Sequence, residues 1–172
     1  NSRTCHNLQI RIYDVMTGKL LYNLVGNNSV GDTGHSNRLF SVRFSQSDDD
    51  CVVSGGWDDK LVIWDIKTQN PKHTLLKRMI KGDAIDMYLN RMLSCSTHNK
   101  DQIQLFDVSA LRAVTGDMGE EGIPWDPQPA KSKKKAVDKK DPAPKTQLYC
   151  CRFSSKGTFY LAGGATKHEA RV

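Results

Sequence analysis

The chain has 172 residues, 38% apolar and 8% aromatic, with a formal net charge of +6. That supplies the core of one ordinary domain, while no apolar run approaches the roughly 18 residues of a membrane span and the polar start at residues 1–7 is not a secretory signal. Five cysteines (Cys5, Cys51, Cys95, Cys150 and Cys151), an odd count without a CxxC pair, argue against a disulfide framework and for a reducing, intracellular compartment.

The first element, LQIRIYD at residues 8–14, alternates apolar and polar positions and ends in an aromatic followed by aspartate. KLVIWD at 60–65 and QIQLFD at 102–107 end the same way. Endings that recur at residues 13, 64 and 106 mark a repeat architecture, in which each unit buries its face on a neighbour. Between the first two endings, strands are expected over 19–25, 38–44, 51–54 and 61–64, separated by a Gly/Asn-rich loop and by turns at 46–50 and 55–59. Four strands in about fifty residues is the content of one four-stranded antiparallel unit. The pattern returns at 84–88, 91–94, 103–106 and 111–115, and again at 148–153, 158–162 and 170–172. Cys150 and Cys151, adjacent on one expected strand, point to opposite faces.

In the second unit the sequence is specific: GHSNRLFSVRF, then VVSGGWDDKLVIWD. The order Gly-His, strand, Ser-Gly-x-x-Asp, strand, Trp-Asp, carried by His35, Ser54, Asp58 and Trp64, resembles the WD-repeat β-propeller family. The resemblance covers nearly all of the chain outside one insert. In the other units it rests on strand pattern, with Tyr13 and Phe106 in place of tryptophan and Lys81-Gly82-Asp83 where Gly-His would stand. It implies an all-β fold, a partial β-propeller of four-stranded antiparallel WD-repeat blades. The expected units are the end of one blade at 1–25, full blades at 37–76 and 81–116, and a truncated blade at 147–172. The remaining blades are expected to lie outside this chain.

The resemblance also implies a hydrogen-bond relay through His35, Ser54, Asp58 and Trp64. A buried indole N–H can only donate and is costly to leave unpaired, so a hydroxyl such as Ser54 must accept from it. The competing reading of Ser54, His35 and Asp58 is a hydrolase triad. A nucleophilic serine needs an exposed, strained turn beside oxyanion donors, whereas Ser54 belongs to an apolar strand. His6, His35, His73, His98 and His168 lack ligand spacing, and no phosphate-binding GxxxxGK[ST] loop occurs. The chain is therefore read as non-enzymatic, with no catalytic residue, cofactor or metal.

Two features remain for function. Successive connections in an antiparallel blade alternate between two rims, so Trp57 in the turn between second and third strands shares the upper rim with Arg38 in the blade-entry loop. Tryptophan and arginine are the residue types enriched at binding hot spots, and both are read as anchors for a peptide or protein partner. The second feature is a Lys/Pro-rich insert at 126–146 with four of the six prolines, expected to be disordered. From 131 to 145 it sets seven lysines, including Lys133, Lys134 and Lys135, against Asp138 and Asp141, a local +5 out of the total +6. It leaves the upper rim and would attract an acidic protein or RNA weakly.

The leading expectation is a cytoplasmic protein-interaction scaffold without membrane contact. The alternative is an RNA- or ribosome-assembly-associated propeller whose insert contacts phosphate, and KSKKK allows a nuclear address. Cytoskeletal or ciliary placement is a further alternative.

Overall fold

The apolar residues of the two central strands of the second unit, CVVSGG and KLVIWD, occupy consecutive positions, which predicts burial on both faces. A sheet meets that demand only with another sheet on either side. The computed structural model describes residues 8–26, 34–98, 102–113, 147–164 and 170–171, and among these it contains strands and no helix. The strands are β1 (Ile10–Tyr13), β2 (Leu20–Leu24), β3 (Leu39–Phe44), β4 (Cys51–Gly56), β5 (Lys60–Asp65), β6 (Asn70–Leu76), β7 (Ile85–Tyr88), β8 (Arg91–Cys95), β9 (Ile103–Asp107), β10 (Arg112–Ala113), β11 (Leu148–Phe153), β12 (Tyr160–Gly164) and β13 (Ala170–Arg171).

They form four antiparallel sheets in chain order: β1-β2, β3-β4-β5-β6, β7-β8-β9-β10 and β11-β12-β13. The second sheet is covered on both faces. Cys51, Val53, Leu61 and Ile63 pack into a core with Ile80, Ile85, Met92 and Leu93 of the third sheet and its entry loop, which continues to Leu148 and Cys151 of the fourth. Residues one position out of phase, Val52, Val62 and Trp64, meet Ile10 and Leu24 of the first sheet. The period-2 alternation of side chains thus sends one strand's residues into two cores. The first strands of the last three sheets lie side by side, β7 touching both β3 and β11. Face-to-face sheets around such a shared inner edge are a partial β-propeller, all-β as the resemblance implies.

Three boundaries differ from the sequence expectation. The four strands counted from residue 19 to residue 64 are not one sheet: β2 pairs with β1 of the preceding sheet, and the second sheet takes β6 as its last strand. Strand β6 follows β5 through a tight turn in which Gln69 adopts φ 58°, so that hairpin is local. Strand β4 also continues through Gly55 and Gly56, which shortens the following turn and places Ser54 inside the strand.

Two β-bulges recur at one place. Leu39 faces Gly56 and Ser41 faces Gly55, so Phe40 is the extra residue on β3. On β11 the same break falls between Leu148 and Cys150. Cys150 is exposed and Cys151 buried, on opposite faces of that strand.

Candidate partner-binding rim

The turn after β4 and the loop entering β3 meet at one edge of the second sheet. The Trp57 amide donates to the Arg38 carbonyl at 2.9 Å. That approach requires glycine at position 56, where a Cβ would stand 2.3 Å from the same carbonyl oxygen. The β6–β7 connection crosses the same edge: the Arg78 amide donates to the Asp59 carbonyl at 3.1 Å and the Ile80 amide to the Gly56 carbonyl at 2.9 Å. Lys60 reaches across to the Gly34 carbonyl at 3.0 Å. These contacts join blade-entry loops and inner turns into one rim.

On that rim Trp57 is 40% exposed and Phe40 39% exposed, although both are large apolar side chains. Their ring centroids are 5.2 Å apart with planes tilted by 46°. The Arg38 guanidinium lies over the indole, 5.7 Å from its centroid, a cation–π arrangement. The bulge explains Phe40: an extra residue re-aims a side chain that strand alternation alone would not bring to the turn.

Beneath the rim, Trp64 Nε1 donates to Ser54 Oγ at 2.7 Å. Ser54 Oγ lies 2.7 Å from His35 Nε2, and His35 Nδ1 lies 2.8 Å from Asp58 Oδ2. Because the carboxylate can only accept, His35 carries its proton on Nδ1, and Nε2 then accepts from the serine hydroxyl. The Ser36 amide also donates to Asp58 Oδ2 at 2.8 Å. Burial pushes the Asp58 carboxyl up, but the hydrogen bonds from His35 and from the Ser36 amide outweigh it and hold the carboxyl below its ordinary range. Ser54 is 0% exposed and its oxygen already accepts from the indole, so it offers no nucleophile to a substrate.

The third sheet solves the same problem with a different residue. Ser94 occupies the position opposite Ile85 that Ser54 occupies opposite Val42. Arg78, not the Lys81-Gly82-Asp83 segment, sits where His35 sits, donating to Ser94 Oγ at 2.9 Å and to the Ser94 carbonyl at 3.2 Å. Asp83 instead belongs to a charge cluster on the inner edge. Arg43 donates to its Oδ1 at 2.6 Å, Ser41 Oγ donates to the same oxygen at 3.2 Å, and Arg152 pairs with Oδ2. Burial raises the Asp83 carboxyl, yet the hydrogen bonds from Arg152 and Arg43 lower it further. The Phe153 amide donates to Asp86 at 2.7 Å, tying β11 to β7.

Residues 20–65 match the family model for the WD domain, G-beta repeat. That stretch is similar to the WD repeat. No curated protein matches it. The matched stretch runs from β2 to β5, so the WD-repeat unit of the sequence is offset from the sheet β3–β6 by one strand. WD-repeat domains serve in general as protein-interaction scaffolds and are typically non-enzymatic, the site being grafted onto a rigid disc. Among the described residues no helix is long and apolar enough to cross a membrane. Lys133, Lys134 and Lys135, with the whole 126–146 insert, lie outside the described residues, as do His6, His168 and Cys5.

Sequence reasoning missed Phe40, Arg78 and the Arg43–Asp83–Arg152 cluster. The alternation of Phe40, Val42 and Phe44 with Leu39, Ser41 and Arg43 contains the first, and the paired RF dipeptides at 43–44 and 152–153 contain part of the third. Arg78 shares no letter with its counterpart.

Proposed function

We propose that this WD-repeat chain is a non-enzymatic scaffold that binds a peptide or protein segment on the rim carrying Trp57 and Arg38. The observation that supports this reading is the half-exposed Trp57 ring, flanked by Phe40 at 5.2 Å and capped by the Arg38 guanidinium at 5.7 Å. Aromatic and arginine side chains held in place before binding lose little entropy on association. The relay below, from Trp64 to Asp58, has a structural role in this reading: it fixes the turn that carries Trp57. The domain units at 1–25, 37–76, 81–116 and 147–172 are part of the same proposal. So is a cytoplasmic, reducing location, which free Cys51, Cys95, Cys150 and Cys151 suit.

The test is Trp57→Ala in the complete protein, with recovery of bound partners compared to wild type. Loss of a partner is expected, and unchanged recovery eliminates Trp57 as an anchor. The RNA-associated alternative rests on Lys133, Lys134 and Lys135. Deleting residues 126–145 and measuring salt-dependent RNA retention separates it, because loss of RNA with partners retained favours that alternative.

A further inference from the structure

We propose that the segment bound on this rim is acidic and amphipathic, a peptide that sets a carboxylate against Arg38 and an aliphatic or aromatic side chain against Trp57 and Phe40. This inference rests on the rim reading above and specifies its partner by charge.

The rim's own acids are already engaged. Asp58 bonds to His35 at 2.8 Å and Asp59 to His98 Nε2 at 2.6 Å. Its cations are not matched to the same degree. Among the described residues, the side chains of Arg38, Lys77 and Lys81 have no carboxylate partner, and Arg38 and Lys77 are exposed. Lys77 and Lys81 belong to the β6–β7 connection that is hydrogen-bonded to Asp59 and Gly56 on either side of Trp57. An apolar pair thus lies beside a guanidinium that no carboxylate of the described residues pairs, on a rim whose adjoining loop carries two more cations.

Arginine here is not a free-swinging charge. Its Cζ lies 5.7 Å from the indole centroid, and a carboxylate accepts two guanidinium N–H groups at once. Holding the fork in place beforehand removes part of the ordering cost of the pair. A basic peptide would meet like charge at Arg38, Lys77 and Lys81, and a wholly acidic one would leave the indole and phenyl faces wet. Nucleic acid would use the cations, but the described rim offers one indole and one phenyl in mutual contact, not the succession of aromatic side chains on which consecutive bases stack.

The test uses the complete protein against a displayed library of random twelve-residue peptides, with a single-stranded RNA oligonucleotide as a parallel probe. Wild-type protein is expected to enrich peptides in which Asp or Glu neighbours Leu, Ile, Phe or Trp. Arg38→Glu, at an exposed position, is expected to weaken the selected peptides by about tenfold or more and to shift enrichment toward Lys and Arg. Lys67→Glu, on the opposite rim, is expected to leave binding within twofold. Enrichment of neutral or basic peptides that Trp57→Ala abolishes would overturn the acidic partner while leaving the rim as the binding surface. Enrichment indifferent to both Trp57→Ala and Arg38→Glu, or no enrichment at all, would overturn both readings. RNA retention that depends on Arg38, without peptide selection, would assign the rim to phosphate instead.

Discussion

Replacing Ser54 with alanine should destabilise the protein far more than the loss of one small hydroxyl suggests. Among the described residues the Trp64 indole N–H donates to Ser54 Oγ alone, at 2.7 Å, and the serine hydroxyl serves His35 Nε2, also at 2.7 Å. Trp64 is 1% exposed and Ser54 0% exposed, so water cannot replace the lost contacts. Each buried polar group left without a partner costs about 1–3 kcal/mol, and two are orphaned here, giving about 2–6 kcal/mol. That is a large share of the roughly 5–15 kcal/mol that keeps a domain folded. The measurement is equilibrium urea unfolding followed by tryptophan fluorescence, read as a shift in midpoint at unchanged slope. Trp64→Phe in the Ser54→Ala background removes one of the two orphans, so the double variant should lose less than the two single losses added together. A Ser54→Ala loss below about 0.5 kcal/mol, or strict additivity in the double variant, would refute the relay as a source of stability.

Three further outcomes follow from the same geometry. Asp58 has a folded-state carboxyl held below its ordinary value of 3.8, so its stabilisation is present above that value and lost as pH falls through the lower folded-state value. Unfolding midpoints measured from pH 5 to pH 3 should drop for wild type and drop less steeply for Asp58→Asn. Gly56→Ala, whose new Cβ would stand 2.3 Å from the Arg38 carbonyl oxygen, should cost about 1–3 kcal/mol in urea unfolding and weaken any ligand that needs Trp57 in place. Ser94→Ala should destabilise by about 1–3 kcal/mol in the same assay because it removes an acceptor from buried Arg78.

The residues most legible in the sequence were those whose role is local. Alternation marked β1, the shared aromatic-Asp ending marked β5 and β9, and the Ser54-Gly-x-x-Asp58 spacing placed both groups on one hairpin. What escaped depends on contacts distant along the chain. The blade expected at 37–76 takes in NPKHTLL without naming a strand there, and the pairing of Ile63 with His73 makes that segment β6. Phe40 escaped because a bulge breaks the two-residue period that made the neighbouring strands readable. Arg78 escaped because a guanidinium and an imidazole can serve the same serine from the same place without sharing any sequence signature.

The inner edge of the sheets is joined by charge as well as by apolar contact. Asp83 is shared between Arg43 on one side and Arg152 on the other, with Asp86 beneath them, so three neighbouring blades hold a common carboxylate. Removing either arginine leaves the other grip intact, and the hub would loosen by stages instead of opening at one stroke. A molecule assembled this way can accept drift in one blade while its neighbours keep their spacing.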